Sequence, residues 1–179
     1  AFLDTSRAYA MGRSEERIGK VVRELGGWPE GRVLSTKLDR DMETGVFGAS
    51  QARKSFEESL KALGVERVDI LYLHDPEYVA DLTEVTRNGG ALDELFRIKE
   101  EGFATAVGLA GGRIDVLMPI LRDRDFDVLL SHNRNTVVNK NAAPMIEFAK
   151  TKGVSVVNAA PYAGGALAKG SSVHRFYVY

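Results

Sequence analysis

The sequence has no cysteine, and it has only three histidines among its 179 residues. The absence of cysteine excludes disulfide bonds and thiolate metal sites, and it is compatible with a reducing cytoplasm, where we expect the protein to act. Three histidines without an HExxH motif give no basis for a zinc site, so we predict no metal centre.

The sequence also lacks a strong charge of one sign and long apolar runs. Its 25 acidic and 24 basic side chains give a net charge of -1 and are spread along the chain. This balance excludes the basic surface that binds nucleic acid or an anionic membrane. No apolar run approaches the roughly 20 residues of a membrane-spanning helix. We therefore expect a small-molecule substrate and neither nucleic acid nor a membrane as partner.

What the sequence does contain is a regular alternation of short apolar runs with amphipathic stretches. The apolar runs predict strands, and apolar residues at three- and four-residue spacing predict helices. The predicted strands are Ala1–Asp4, Arg32–Lys37, Val68–His74, Phe103–Leu109, Phe126–Ser131 and Val154–Asn158. The predicted helices are Ser14–Leu25, Ser50–Leu63, Leu92–Glu100, Ile114–Leu121 and Ala143–Lys150.

This alternation predicts an α/β fold with a parallel sheet, either an open doubly wound sheet or a (β/α)8 TIM barrel. The segments after the predicted strands are long and polar, whereas those before them are short and marked by glycine. Long polar loops only at the carboxyl ends of the strands favour a barrel with its functional site at that end. No strand is followed by the GxGxxG spacing of a Rossmann fold. We therefore predict the barrel.

A barrel needs eight strands, and six are predicted. Because the first predicted strand begins at the first residue, we expect about strands 2 to 7, in a single domain over residues 1–179 that is truncated at both ends. An open sheet of six strands would expose two unpaired edges, which native proteins normally protect.

Polar side chains mark the ends of three predicted strands. Asp4, Lys37 and His74 end their strands, and Tyr9 follows Asp4 by five residues. Each could have an ordinary structural role, but together they suit one pocket at the strand ends. An ammonium lowers the pKa of a neighbouring phenol, and a carboxylate keeps that ammonium charged. Such a site exchanges a proton with an alcohol or its carbonyl product, and a nicotinamide would carry the hydride.

With these residues the chain resembles the aldo-keto reductase superfamily. The resemblance implies a (β/α)8 barrel that binds NAD or NADP and uses an Asp/Tyr/Lys/His tetrad. It implies that Asp4 supports Lys37 and that Lys37 activates Tyr9. Tyr9 would then be the general acid–base, and His74 would orient the substrate carbonyl. The shared motifs are Leu3-Asp4-Thr5 with Tyr9, Ser14-Glu15-Glu16-Arg17-Ile18-Gly19, Leu34-Ser35-Thr36-Lys37 and Asp69-Ile70-Leu71-Tyr72-Leu73-His74.

The resemblance extends to the group of D-threo-aldose 1-dehydrogenase, L-fucose or L-galactose dehydrogenase and pyridoxal 4-dehydrogenase. It implies oxidation of an aldose or similar hemiacetal to a lactone by a monomer or homodimer. Two alternatives remain: an NADPH-dependent reductase of aldehydes or ketones, and a non-catalytic regulatory subunit that binds the cofactor. The motifs that carry the resemblance to this group are Ile98-Lys99-Glu100-Glu101-Gly102, Val107-Gly108-Leu109 and the segment from Asn158 to Gly170.

The same resemblance implies cofactor contacts in the later part of the chain. Many relatives have Ser-Asn where this chain has Ala110 and Gly111, and His132 stands where Gln is common. Ala159 stands where an aromatic residue commonly stacks on the nicotinamide, and the loop after it would turn backbone amides toward the pyrophosphate. The implied cofactor-binding residues are Ala110, Gly111, His132, Ala159, Pro161, Tyr162, Gly164, Gly165 and Leu167.

Overall fold

The computed structural model describes residues 1–165, in which strands and helices alternate. The strands of this part are β1 (Phe2–Asp4), β2 (Val33–Leu38), β3 (Val68–His74), β4 (Ala104–Gly111), β5 (Val128–His132) and β6 (Ser155–Ala159). The helices are α1 (Arg13–Glu24), α2 (Ala49–Leu63), α3 (Leu82–Thr86), α4 (Ala91–Glu100), α5 (Ile114–Asp123) and α6 (Ala143–Thr151).

Each predicted strand and helix is present, with ends that differ by a few residues. The short helix α3 was not predicted, because its five residues are too few to show a helical period. Its first turn is capped by Asp81, whose side chain accepts a hydrogen bond from the Thr83 amide at 2.8 Å. Strand β2 runs one residue past Lys37, so Lys37 lies inside the strand and not at its end.

The chain divides into two compact units, and the division falls within β4, between Gly108 and Leu109. In the first unit, β1 pairs in parallel with β2, and β2 pairs in parallel with β3. The register places Asp4 opposite Ser35, and Lys37 opposite Tyr72. Parallel neighbours joined through α1 and α2 are the β/α units that the alternation predicts.

The core of the first unit lies between these strands and their helices. Alternate side chains of β2 point to opposite faces, because successive residues of a strand alternate. Leu34 and Leu38 are buried on the face that also carries Thr36, and Ser35 and Lys37 occupy the other face. Both faces of β2 are therefore covered, which is typical of a strand in a parallel sheet. Buried helical residues complete this core: Val22, Ala52, Phe56, Leu63, Leu95 and Ile98.

Helices α1 and α2 approach each other at Gly19. A Cβ atom at Gly19 would lie 1.9 Å from the carbonyl oxygen of Ala62. Only glycine allows this backbone contact, which explains a glycine in the middle of an otherwise regular helix.

The second unit contains a parallel pair of its own. Strands β5 and β6 pair with Leu130 opposite Val157 and with His132 opposite Ala159. Helices α5 and α6 bury Leu117, Leu121 and Met145. Throughout residues 1–165, no helix is long and apolar enough to cross a membrane.

We predict that Gly19→Ala destabilises the protein by about 2 kcal/mol or more, the cost of forcing a side chain into a filled contact. The measurement is the denaturant midpoint of the full-length protein. Gly48→Ala is the matched control, because Gly48 has a φ of -91° and nothing within 4 Å of the added atom. Its cost should stay within about 1 kcal/mol, since alanine replaces glycine at a helix N-cap. Equal losses in the two variants would contradict the proposed α1–α2 contact.

Candidate active site

A buried lysine lies at the centre of the candidate site. The Nζ atom of Lys37 donates to Oδ2 of Asp4 at 2.7 Å and to the carbonyl oxygen of Thr5 at 2.5 Å. Ser35 donates its hydroxyl to the other Asp4 oxygen at 2.6 Å. The Lys37 side chain is 0% exposed. This geometry follows from strand register, since Ser35 and Lys37 share the face of β2 that turns toward Asp4.

Burial dominates the electrostatics of this lysine. Burial lowers the pKa of Lys37 because it disfavours the charged form, and the attraction of Asp4, with smaller contributions from Asp39 and Asp75, offsets this only in part. Lys37 is therefore a cation whose charge depends on its carboxylate partner.

Tyr9 lies over this lysine, on the loop between β1 and α1. Its ring centroid is 4.7 Å from the Lys37 ammonium and 5.9 Å from the ring centroid of His74, with the two rings edge-on at 80°. Tyr9 is 41% exposed, so its ring also reaches the surface. The structure thus brings together the four residues that the sequence predicted would share one pocket: Asp4, Tyr9, Lys37 and His74.

A second tyrosine, Tyr72, lies 5.9 Å from the same ammonium but differs in its surroundings. It is fully buried, and its hydroxyl has no hydrogen-bond partner among residues 1–165. Burial, with repulsion from Asp4, raises the pKa of Tyr72, so this phenol keeps its proton. Of the two tyrosines, only Tyr9 is both next to Lys37 and accessible.

His74 ends β3 and is held by a residue that the sequence analysis missed. Its Nδ1 atom lies 2.5 Å from Oδ1 of Asp39, the residue that follows β2. The second oxygen of Asp39 accepts the Ser6 hydroxyl at 2.7 Å and the Ala8 amide at 2.9 Å. The available signal was the alternation of β2, which puts Asp39 in phase with Ser35 and Lys37.

Asp39 is ionised despite its burial. Burial alone would raise the pKa of Asp39, but the hydrogen bonds from His74, Ser6 and Ala8 outweigh it and hold the pKa below its usual value. A carboxylate therefore links the imidazole to the backbone of the loop that carries Tyr9.

The same loop is held from its outer side by Arg7. The guanidinium of Arg7 lies 4.0 Å from Glu15, 3.6 Å from Glu16 and 3.8 Å from Glu58. It also donates to the carbonyl oxygen of Gly12 at 3.3 Å. Each contact is partly exposed and is worth little alone, about 0–1 kcal/mol. Together they attach the loop to α1 and α2.

Glu15 is the buried member of this group. Its Oε1 atom accepts the Thr36 hydroxyl at 2.6 Å, and its side chain is 0% exposed. Burial raises the pKa of Glu15, against the opposing effects of Thr36 and Arg7. The carboxyl group therefore carries its charge at a cost to the folded state.

Three of the residues implied for the cofactor lie at the ends of β4 and β5, in the second unit: Ala110, Gly111 and His132. Ala110 and Gly111 are buried and belong to β4. The predicted strand ended at Leu109, so the sequence analysis had placed both residues in the segment after it. Gly112 follows them, and a Cβ atom there would lie 2.6 Å from Cε1 of His132. The Oδ1 atom of Asn133 is buried and has no hydrogen-bond partner in the described part of the chain.

Most of the other residues implied for cofactor binding lie in the turn after β6. Pro161, Tyr162 and Gly164 are exposed, and the backbone of Ala163 has a φ of 54° while that of Gly164 has a φ of 60°. The Ala163 amide donates to the carbonyl oxygen of Ala160 at 3.0 Å, which closes the turn. Gly165 ends this turn, and the predicted Leu167 lies outside the described residues.

Comparison of the sequence with known families places this site in a class. The Aldo/keto reductase family profile matches residues 1–175, nearly the whole chain. The chain belongs to this family.

Two characterised relatives are dehydrogenases. L-galactose dehydrogenase of Arabidopsis thaliana is 33% identical over 170 residues, which cover 93% of this chain and 52% of the relative. D-threo-aldose 1-dehydrogenase of a Pseudomonas species is 28% identical over 192 residues, covering 94% of this chain and 57% of the relative. The chain thus spans about half the length of the curated relatives it matches, and the predicted family group is confirmed.

Solved structures agree with the predicted barrel. A protein described as an aldo-keto reductase, from Pseudomonas aeruginosa, matches with a TM-score of 0.72 at 28% identity, covering 88% of this chain and 58% of that one. The aldo-keto reductase of Bombyx mori, solved in complex with NADP, has a TM-score of 0.69 at 18% identity and covers 96% of this chain and 55% of that one. At that identity the second likeness shows the fold alone. Such neighbours are (β/α)8 barrels, which confirms the fold class, and this chain contains part of one.

We predict that Glu15→Gln raises the free energy of unfolding at pH 8 more than it does at pH 4, each compared with the wild type at the same pH. The folded pKa of Glu15 lies above its unfolded value near 4.5, so its favourable contribution is complete below that value. It is lost as the pH rises through the folded pKa. Glutamine cannot ionise and keeps an oxygen for Thr36. The measurement is the free energy of unfolding of the full-length protein at both pH values.

The control for this prediction is Glu16→Gln. Glu16 lies 3.6 Å from the same arginine but is 59% exposed. Its substitution should leave the pH dependence of stability unchanged. The same pH dependence in both variants would contradict the effect of Glu15 burial.

Proposed function

We propose that this chain carries the catalytic residues of an NAD(P)-dependent oxidoreductase that oxidises an aldose or a similar hemiacetal to a lactone. The observation that carries the proposal is the arrangement around Lys37. Its buried ammonium contacts Asp4 at 2.7 Å and faces the ring of Tyr9 at 4.7 Å. We further propose that the full-length protein is a single barrel domain, a cytoplasmic monomer or homodimer.

In this proposal Tyr9 moves the proton. An ammonium close to a phenol stabilises the phenolate, which accepts the hydroxyl proton of the substrate in the oxidative direction. Asp4 keeps Lys37 charged, and His74 positions the substrate oxygen. A bound nicotinamide supplies the acceptor for the hydride that leaves the same carbon. The substrate thus loses one proton to Tyr9 and one hydride, which carries both electrons, to the nicotinamide, and its hemiacetal carbon becomes a lactone carbonyl.

Features of the second unit suit a dinucleotide. The buried Oδ1 atom of Asn133 is an acceptor without a partner in the described part of the chain, and a nicotinamide carboxamide offers an N–H group. The turn after Ala159 is exposed, and we propose that backbone amides of this turn bind phosphate oxygens. We propose that the residues implied by the family resemblance hold NAD or NADP: Ala110, Gly111, His132, Ala159, Pro161, Tyr162, Gly164, Gly165 and Leu167.

The proposed substrate class is based on the names of similar enzymes. L-galactose dehydrogenase and D-threo-aldose 1-dehydrogenase are named for sugars, and they match at 33% and 28% identity. The same four residues also serve the reverse reaction, because one site catalyses both directions of an equilibrium. Reduction of aldehydes or ketones with NADPH is therefore the second candidate.

The direct test is nicotinamide reduction by the full-length protein with NAD and NADP separately, across aldoses, pyridoxal and simple alcohols. We expect lactone formation from one class of sugar with one coenzyme. If no compound of the panel reduces the nicotinamide, but the protein reduces aldehydes or ketones in the reverse assay, the result would favour the second candidate. Cofactor binding without turnover in either direction would indicate a regulatory subunit.

We predict that Tyr9→Phe lowers kcat at least 100-fold and leaves cofactor affinity within a few-fold, because the variant loses only the proton-transferring hydroxyl. The measurements are steady-state kinetics and a cofactor titration on the full-length protein. Tyr72→Phe is the matched control, since it removes a phenol hydroxyl near the same lysine. Its turnover should stay within a few-fold of the wild type. Retained turnover in Tyr9→Phe would remove Tyr9 from its proposed role.

A further inference from the structure

The turn that follows Tyr9 has a strained backbone. Ala10, Met11 and Gly12 have φ angles of 52°, 55° and 85°, so three successive residues lie in the left-handed region. Residues with a side chain rarely adopt this conformation, because the Cβ atom comes too close to the following carbonyl oxygen. Glycine adopts it without strain, but only the third of these residues is glycine. The strain therefore lies at Ala10 and Met11, next to the proposed acid–base group.

Neither apolar burial nor short backbone hydrogen bonds hold this turn. Ala10 is exposed, and Met11 is 83% exposed. The Met11 amide donates to the carbonyl oxygen of Ala8 at 3.4 Å, and the Arg13 amide donates to that of Ala10 at 3.3 Å. Both bonds are longer than is usual between backbone groups. Since strained backbone persists only where surrounding contacts determine it, other groups must stabilise this turn.

Arg7 supplies such contacts. Its guanidinium donates to the carbonyl oxygen of Gly12 at 3.3 Å, and a Cβ atom at Gly12 would lie 2.7 Å from the Cζ atom of Arg7. A hydrogen bond from a charged donor is about twice as strong as one between neutral groups. The same guanidinium lies 3.8 Å from Glu58 on α2 and 4.0 Å from the buried Glu15 on α1. Arg7 thus connects the end of the turn to both helices.

We propose that Arg7 is a positioning residue, which holds the left-handed turn of residues 10–12 against α1 and α2 and so keeps Tyr9 over Lys37. This inference rests on the proposed function, because it concerns the placement of the group that transfers the proton. It adds to the four predicted catalytic residues a fifth residue that does not itself contact the substrate.

The residues before Tyr9 have a separate attachment. Ser6 and Ala8 both donate to Asp39, at 2.7 Å and 2.9 Å. Loss of Arg7 would leave these two bonds in place and would release only the turn after Tyr9. We therefore expect a folded protein with a displaced Tyr9 ring.

The first measurement is the pH profile of kcat for nicotinamide reduction by the full-length protein and by Arg7→Met. An ammonium stabilises a nearby phenolate, and oxidation uses the ionised Tyr9, so kcat rises with pH as Tyr9 ionises. A Tyr9 ring that lies further from Lys37 ionises at a higher pH. In Arg7→Met we expect the midpoint of the profile to shift upward by about 0.5–1 pH unit. We expect kcat at pH 7 to fall about tenfold.

A merely structural role of Arg7 would not give this result. A smaller folded fraction lowers the rate by the same factor at every pH and leaves the midpoint unchanged. The KM for the nicotinamide should also stay within a few-fold of the wild type, because the residues implied for the cofactor lie in the second unit.

The second measurement repeats the comparison in proteins that carry Ala10→Gly. Glycine adopts the left-handed conformation without strain, so the turn needs less support from Arg7. We expect Arg7→Met to lower kcat about tenfold in the wild-type background and about threefold or less in the Ala10→Gly background. Equal losses in the two backgrounds overturn the proposal.

Ala10→Val provides a test that keeps Arg7, and it decides the matter even if Arg7→Met does not fold. Valine is branched at Cβ and disfavours the left-handed region more strongly than alanine does. Position 10 is exposed, so the larger side chain has room. We expect the midpoint of the pH profile to shift upward, as in Arg7→Met. An unchanged midpoint in Ala10→Val overturns the proposal.

Arg23→Met is the matched control. Arg23 lines the same cleft between α1 and α2 as Arg7, and it donates to the carbonyl oxygen of Ala62 at 3.5 Å. It lies in the last turn of α1, so its substitution should leave kcat and the midpoint unchanged. An equal shift in Arg23→Met, or none in Arg7→Met, overturns this inference alone. No turnover in the wild type overturns the proposed function, and the role of Arg7 with it.

Discussion

The buried ammonium of Lys37 depends on its carboxylate partner, and the rest of the site depends on that pair. Removing a charged group from water is costly, and the penalty is offset only when the charge is paired and hydrogen-bonded. Lys37 meets this condition with Asp4 and the carbonyl oxygen of Thr5, and Ser35 binds the other oxygen of the carboxylate. Because Asp4 and Lys37 come from adjacent strands, a shift of the β1–β2 register would break the pair.

A second carboxylate, that of Asp39, holds both His74 and the loop that carries Tyr9. Asp39 binds His74 through one oxygen and the loop residues Ser6 and Ala8 through the other. The loop that carries Tyr9 is therefore tied to the same group that orients the imidazole. Arg7 attaches the outer side of this loop to the helices. In the proposed mechanism, this precise placement of Tyr9 and His74 would lower the barrier of the proton transfer.

The two tyrosines near Lys37 differ in their burial. Tyr72 is enclosed, and burial raises its pKa, whereas Tyr9 is 41% exposed and can reach a substrate. The same distinction separates Glu15, which is buried behind the site, from its exposed neighbour Glu16. Residue type alone does not decide which member of each pair has a functional or structural role.

By itself, the sequence determined the order of strands and helices, because apolar periodicity is a local property. It also determined that Asp4, Tyr9, Lys37 and His74 would meet, since parallel strands present their carboxyl ends together. Only the tertiary structure decided the contact between Asp39 and His74, which lie 35 residues apart in the chain. The same holds for the burial of Glu15 under Thr36 and for the close approach of α1 and α2 at Gly19. These contacts depend on strand register and helix packing, which local patterns do not encode.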